Sequence, residues 1–181
     1  MAHVMVDLET MSSENNGAIV AIGAFGWDDG EIQDASMVRP EQMFYRIVDL
    51  NTCLPYGLHV DPETEKWWAE QSAEARKILA PETDKVALTN ALEDFAAWLP
   101  KDAEVWGYGS MFDNVLLKSA YKATGIKCPI SYKRDRCYRT AKAMFPHIEI
   151  VEYGVAHNAL DDAIRQGLHL QRILEHVRMA S

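Results

Sequence analysis

Apolar and polar positions divide the chain into a strand-rich beginning and a helix-rich remainder. His3 to Leu8 reads as a first strand, Met11 to Asn16 as a polar turn, and Ala18 to Trp27 as a second, alternating strand. Asp28-Asp29-Gly30 carries hairpin-turn chemistry. It predicts a third strand over Glu31 to Val38, over Met43 to Val48, or over both, completing an antiparallel meander. Pro62 stands where a helix begins, ahead of Glu63-Thr64-Glu65 and the pair Trp67-Trp68. Thr83 to Leu99 places Val86, Leu88, Leu92, Phe95, Ala96 and Leu99 close to helical period, and Pro100 ends the run. Glu104 to Gly107 reads as a short buried strand. Helices are predicted from Asp113 to Thr124, stopped by Gly125, from Cys137 to Phe145, ended by Pro146, and from Asn158 to about Val177. Strands first, then helices interleaved with one or two strands, give an α/β domain: a mixed sheet flanked by helices. No repeat, low-complexity tract or linker interrupts the 181 residues, so one domain spanning 1–181 is expected.

Composition narrows the function classes. Apolar residues make up 48% and charged residues 25% of the chain, the usual balance of a soluble globular protein. No apolar run approaches the ~20 residues of a membrane span. The start Met1-Ala2-His3-Val4 lacks a basic n-region, so no secretory leader, no membrane association and a cytoplasmic location are expected. Cys53, Cys128 and Cys137 are odd in number and scattered; they match no disulfide framework and no zinc spacing, and are expected as reduced thiols. A net charge of −9 argues against a protein that coats nucleic acid through a broad basic face. It leaves room for one that grips only a strand end. A pocket of carboxylates repels phosphate unless divalent cations fill it, so the acidity itself points towards metal.

Candidate chemistry gathers at three places. Asp7 and Glu9 lie near the C-terminal end of the first strand, and alternation aims both at one face. Two like charges at the edge of a core share a proton or bind a cation, and hard cations such as Mg²⁺ prefer carboxylates. Read alone, Asp7-Leu8-Glu9 is equally a fraying strand end with solvated acids. Gly107-Tyr108-Gly109-Ser110-Met111-Phe112-Asp113 leads out of the buried strand, and Asp113 opens a helix, where a plain N-cap is the simpler explanation. His157 to Asp162 opens the last helix. Asn158 suits its N-cap and Asp161 its capping partner, which leaves His157 on the preceding loop and Asp162 in the first turn as a base-plus-ligand pair, or as a surface histidine and an acidic first turn.

Taken together, these segments resemble the DEDDh exonucleases, the DnaQ-like group with a ribonuclease-H-like fold. The first motif, Asp-x-Glu-Thr, appears as Asp7-Leu8-Glu9-Thr10; the second-motif aspartate, preceded by Phe, as Phe112-Asp113; and the third motif, His-x4-Asp, as His157 to Asp162 with Ala159 and Ala163 at the small positions. All three occur in order and span nearly the whole chain. Asp61-Pro62 through Trp67-Trp68-Ala69-Glu70-Gln71-Ser72 is similar to a subgroup of bacterial and phage exoribonuclease-like proteins. Ser110 departs from the second motif, where many members carry Asn or His.

The resemblance implies a metal-dependent 3′–5′ exonuclease with two ions, Mg²⁺ or Mn²⁺, about 3.5–4 Å apart. It implies Asp7 bridging both, Glu9 and Asp162 on the ion that carries the nucleophilic water, and Asp113 holding the second mainly through water. His157 is the implied base; an unperturbed imidazole, titrating at about 6.5, suits neutral pH. Thr10 backbone groups and the Met11 side chain are the implied contacts to the terminal sugar and base. Trp67 or Trp68, but not both, can face substrate, because adjacent helical positions do not share a face. Partners implied are RNA or single-stranded DNA 3′ ends, with a nucleoside 5′-monophosphate as product and a homodimer as assembly. Lys133-Arg134-Asp135-Arg136 reads as a solvated loop, or as a phosphate-contacting patch extended by Arg139 and Lys142. The remaining histidines show no metal spacing. Two other readings compete: a catalytically silent module of the same fold that binds nucleic-acid ends or a protein, which needs no base beside four acids, and a phosphoacceptor receiver, against which the early hairpin signal speaks.

Overall fold

Five strands, β1 (His3–Thr10), β2 (Ile19–Trp27), β3 (Met43–Ile47), β4 (Glu104–Gly107) and β5 (Asp135–Cys137), form one sheet in the order β3-β2-β1-β4-β5. The architecture is that of a computed structural model describing residues 1–109 and 111–180. β1 pairs antiparallel with β2, and β2 with β3; β1 pairs parallel with β4, and β4 with β5. The helices are α1 (Pro62–Glu70), α2 (Ala73–Arg76), α3 (Leu88–Trp98), α4 (Asp113–Thr124), α5 (Tyr138–Met144) and α6 (Ala159–Met179). The expected mixed sheet flanked by helices, ribonuclease-H-like in its order, is the observed fold.

Alternation along β1 splits the core. Val4, Val6 and Leu8 point to the face covered by α1, α3 and α4, where they meet Trp68, Leu92, Phe95 and Leu117. Met5 points to the other face, joining Phe25 and Trp27 beneath α5 and α6 with Tyr138, Ile164 and Leu168. Each such side chain, buried on both sides of the sheet, contributes roughly 1.5–3 kcal/mol by leaving water. Asp7 and Glu9 continue the Met5 face, so the apolar floor under α6 turns acidic where β1 ends.

Three expectations on the elements change. Only Met43 onward forms the third strand; Glu31 to Val38 is irregular apart from a 3-10 turn at Ala35–Met37. Glu31 N–H does close a turn on the Asp28 carbonyl at 3.1 Å, with Gly30 at φ +80, but the strand does not resume. Instead the Gln33 N–H donates to Gln171 Oε1 at 2.8 Å, and the Gln33 side-chain amide donates to Gln42 Oε1 at 3.1 Å, so buried amides do what a ladder would have done. The helix expected from Thr83 begins at Leu88, because Val86 is held in a strand-like bridge with Val48 and Leu88 N–H is taken by Thr52 Oγ1 at 2.9 Å. Finally, Asp135 and Arg136 are not loop residues but lie in the edge strand β5. No helix among the described residues is long and apolar enough to cross a membrane.

Candidate active site

Gly23 pairs across the sheet with Asp7. A Cβ at Gly23 would stand 2.1 Å from the Ala159 carbonyl carbon, so only glycine lets the start of α6 lie directly on β2. That close approach delivers Asp162 to the end of β1. Carboxylate oxygens of Asp7, Glu9 and Asp162 lie within 4.8 Å of one another. They sit in a cleft of about 500 Å³, which is also lined by Thr10, Ser12, Trp67, Tyr108, Asp113 and His157.

The α6 entry is built by its cap. Asn158 Oδ1 accepts from the N–H groups of Leu160 and Asp161 at 3.1 and 3.2 Å. Asp161 is not its reciprocal capping partner as expected: its Oδ2 accepts from Val155 N–H at 2.8 Å and so ties down the preceding loop. His157, in that loop, has φ +62, a left-handed backbone that a side chain rarely adopts. Its N–H donates to Asp162 Oδ2 at 2.9 Å, and its exposed ring packs edge-on against Trp67 with centroids 5.0 Å apart. Asp113 is the first residue of α4, after Phe112 at the N-cap. It accepts from Leu8 N–H at 3.2 Å and Tyr108 N–H at 2.7 Å, clamping the ends of β1 and β4 together.

Burial and mutual repulsion dominate the electrostatics. Asp7 is pushed well above the ordinary carboxylate range, first by burial and then by Asp113, Glu9 and Asp162, against one opposing hydrogen bond from Gln166. Glu9 is raised to about 8 by burial, then by Asp162 and Asp113. Asp113 is raised to about 6 by burial, partly offset by the backbone N–H groups of Tyr108, Leu8 and Asp113 itself and by Arg139. Asp162 is also raised by burial, although Arg165 one turn away pairs with it and pulls the other way. So many hard oxygens, held together at this cost, form a donor set that fits divalent cations.

Without metal, this repulsion makes stability depend on pH. Glu9 keeps its proton up to about pH 8 in the folded state, whereas an unfolded glutamate releases it near ~4.3. Between those limits the folded state binds more protons, so stability falls as pH rises. For Glu9 the loss is on the order of 4 kcal/mol, or roughly 10 °C in melting temperature. Melts in EDTA from pH 4.5 to 8 should therefore descend steeply, Mg²⁺ or Mn²⁺ should level the descent, and Glu9→Gln should flatten it without metal. A flat EDTA series in the unaltered protein would contradict the burial of these acids.

Some expected contacts differ. The Met11 side chain does not reach the cleft: it is 4% exposed and packs in the core on the α1 and α3 side. The β1–β2 register slips between Glu9 and Thr10; this bulge breaks the alternation that would have put Met11 beside Asp7 and Glu9. Thr10 lines the cleft, but its carbonyl already accepts from Trp68 Nε1 at 2.9 Å. Of the tryptophan pair, Trp68 is buried and Trp67 is exposed on the cleft. Ser110 lies outside the described residues. Sequence reasoning missed Gln166, whose Nε2 donates to Asp7 Oδ1 at 2.8 Å, as well as Arg165 and Tyr108. Gln166 and Arg165 follow Asp162 on α6 by one helical turn, a spacing that offered the only local clue. The Lys133–Arg136 cluster is not an open anion patch, because Glu104 takes both Arg134 and Arg136, at 3.2 and 2.6 Å.

A five-stranded sheet of this order, with paired acids on its central strand and a further acid from the last helix, has the layout that the DEDDh resemblance implies. A family model for the Rv2179c-like 3′-5′ exoribonuclease domain matches residues 2–174. The chain belongs to this family of 3′-5′ exoribonuclease domains, and the silent-module alternative is not favoured. No curated protein sequence matches it. Solved structures share the fold. One is cell-death related nuclease 4 (CRN-4), at 12% identity and a TM-score of 0.53, covering 96% of this chain and 63% of that one. Another is the nuclease domain of 3′hExo, a DEDDh family member bound to rAMP, at 12% identity and 0.55, covering 97% and 90%. A third is the zinc-bound ExoI–ssDNA complex from E. coli, at 14% and 0.61, covering 97% of this chain and 40% of that one. The chain thus spans less than two thirds of the first and third of these proteins.

Proposed function

We propose that residues 1–181 act as one exonuclease domain that trims single-stranded RNA from its 3′ end and releases nucleoside 5′-monophosphates. Asp7, Glu9 and Asp162 would hold Mg²⁺ or Mn²⁺, and Asp113, which lines the same cleft, would help to hold the second ion mainly through water. When bound, these cations supply charge neutralisation at the phosphate and at the attacking and leaving oxygens. The rest falls to the chain. Gln166 fixes the rotamer of Asp7 through its 2.8 Å hydrogen bond. The Leu8 and Tyr108 amides fix Asp113. His157, placed on its loop by the bond to Asp162 Oδ2 and by the Trp67 edge, takes a proton from the attacking water. Trp67 offers its exposed face to the terminal base, where a stack contributes about 1–3 kcal/mol. A homodimer, in the habit of the resembling nucleases, belongs to the same reading.

The observation that carries this proposal is the convergence of the Asp7, Glu9 and Asp162 oxygens within 4.8 Å in an open cleft edged by an imidazole. RNA is preferred over DNA because the family is one of exoribonucleases. Digestion of 3′-labelled and 5′-labelled RNA and DNA with Mg²⁺, Mn²⁺ or EDTA tests it. Mononucleotide released at once from 3′-labelled RNA, a descending ladder from 5′-labelled RNA, slower DNA trimming and no product in EDTA are expected. Undiminished cleavage in EDTA would remove the metal reading, and faster DNA trimming would reverse the substrate assignment.

A further inference from the structure

The cleft is asymmetric. On one side it is walled by α1: Trp68 is buried and bonded to the Thr10 carbonyl, with Thr64 and Trp67 beside it. On the other side Tyr108 continues from the cleft into two adjoining cavities of about 280 and 320 Å³. Arg165 and Gln166 line both the cleft and the first of these. A polymer whose end lies at the carboxylates can follow the cavities that continue past Tyr108.

The chemistry along this exit suits a nucleotide. The Arg139 guanidinium stands 4.8 Å from the Tyr108 ring centre and the Lys142 ammonium 5.5 Å from it. Arg139 donates to the Tyr108 carbonyl at 3.1 Å, and Lys142 Nζ lies 3.5 Å from the Tyr108 hydroxyl. Among the described residues neither cation is engaged in an ion pair, whereas Arg134 and Arg136 are both neutralised by Glu104. In a chain of net charge −9 this pair of cations adjoins the acidic cleft, where Arg139 also acts on Asp113. Among the described residues, Glu152 is the one carboxylate on the walls of the two cavities. Beyond the cations the second cavity turns apolar, with Pro146, Ile148 and the exposed Ile150 on its wall.

We propose that this groove is a subsite for the nucleotides on the 5′ side of the scissile bond: Arg139 and Lys142 take the backbone phosphates, and the Pro146–Ile150 wall seats a base. The inference rests on the exonuclease reading and deepens it. It means that the enzyme measures strand length, holding an oligonucleotide more tightly than a dinucleotide although the chemistry at the 3′ end is the same.

The test is binding of fluorescent ribo-dinucleotides and ribo-octanucleotides across a salt series, with Ca²⁺ replacing the catalytic cation. The unaltered protein should bind the octanucleotide more tightly. Lys142→Glu and Arg139→Ala should each shrink that gain roughly 10-fold and make the salt dependence shallower by about 0.7 for each phosphate that is no longer neutralised. Arg136→Glu, an equal charge change where Glu104 already holds the arginine, should do far less. The subsite is overturned if Lys142→Glu and Arg139→Ala keep the full length gain and salt slope, if Arg136→Glu costs as much as Lys142→Glu, or if the unaltered protein shows no length gain. A protein that neither binds nor trims RNA of any length would instead sink the exonuclease reading, and the subsite with it.

Discussion

Asp7→Asn should abolish exonuclease turnover, by ~10³-fold or more, while making the metal-free protein less prone to lose stability as pH rises. The first half follows from position. Asp7 shares the Asp7–Glu9–Asp162 oxygen cluster, and Asp113, Glu9 and Asp162 all bear on its charge. An amide keeps the shape and can still accept from Gln166, but it removes the central negative charge from the cation site. Losing several kcal/mol of metal-borne charge stabilisation at about 1.36 kcal/mol per decade of rate gives the stated size. The second half follows from the raised pKa. A carboxyl held above its ordinary range stabilises the fold below its unfolded pKa, and that contribution is lost as pH rises through the folded value. Burial and three acidic neighbours oppose its charged form, so neutralising it should raise the melting temperature in EDTA as pH rises. Titration calorimetry with Mn²⁺ should show weakened binding in the same variant. A variant that is inactive and also melts lower in EDTA would mean that the fold, rather than the charge, had been lost.

Removing the His157 ring should slow single-turnover cleavage by ~10²–10⁴-fold, the usual contribution of a general base, while oligonucleotide affinity changes little. The backbone complicates the choice of variant. At φ +62 an alanine keeps the strain of the native residue, whereas glycine adopts that conformation freely. His157→Gly therefore deletes the imidazole without disturbing the N–H bond to Asp162 Oδ2, and His157→Ala serves beside it. Agreement between the two assigns the loss to the ring. Full rate at neutral pH in the glycine variant would take the base role away from His157. If only the alanine variant is slow, the loop geometry and not the imidazole is what matters.

Much of this architecture is written locally. Strand alternation alone puts Asp7 and Glu9 on one face, and the observed β1 keeps Val4, Val6 and Leu8 opposite them. The Asn158 cap, the Gly125 stop at a left-handed C-cap and Pro62 at the start of α1 each act within one or two turns, so their residues announce them. The third strand was ambiguous for a related reason. Glu31 to Val38 and Met43 to Val48 both tolerate extended backbone, and the decision came from Gln171, a buried amide on α6 that captures Gln33.

By itself, then, the sequence determined most of the elements, the shared face of Asp7 and Glu9 and, through motif order, the family resemblance. Only the tertiary structure decided what surrounds those acids. Gln166 reaches Asp7 across 159 residues of chain, Gly23 admits α6 to the sheet, and a bulge after Glu9 turns Met11 inward. Lys142 and Arg139 meet Tyr108 only because β4 and α5 are packed side by side. Periodicity and capping are set by neighbours along the chain, whereas a cleft is set by which distant elements touch, and that depends on how the whole core packs.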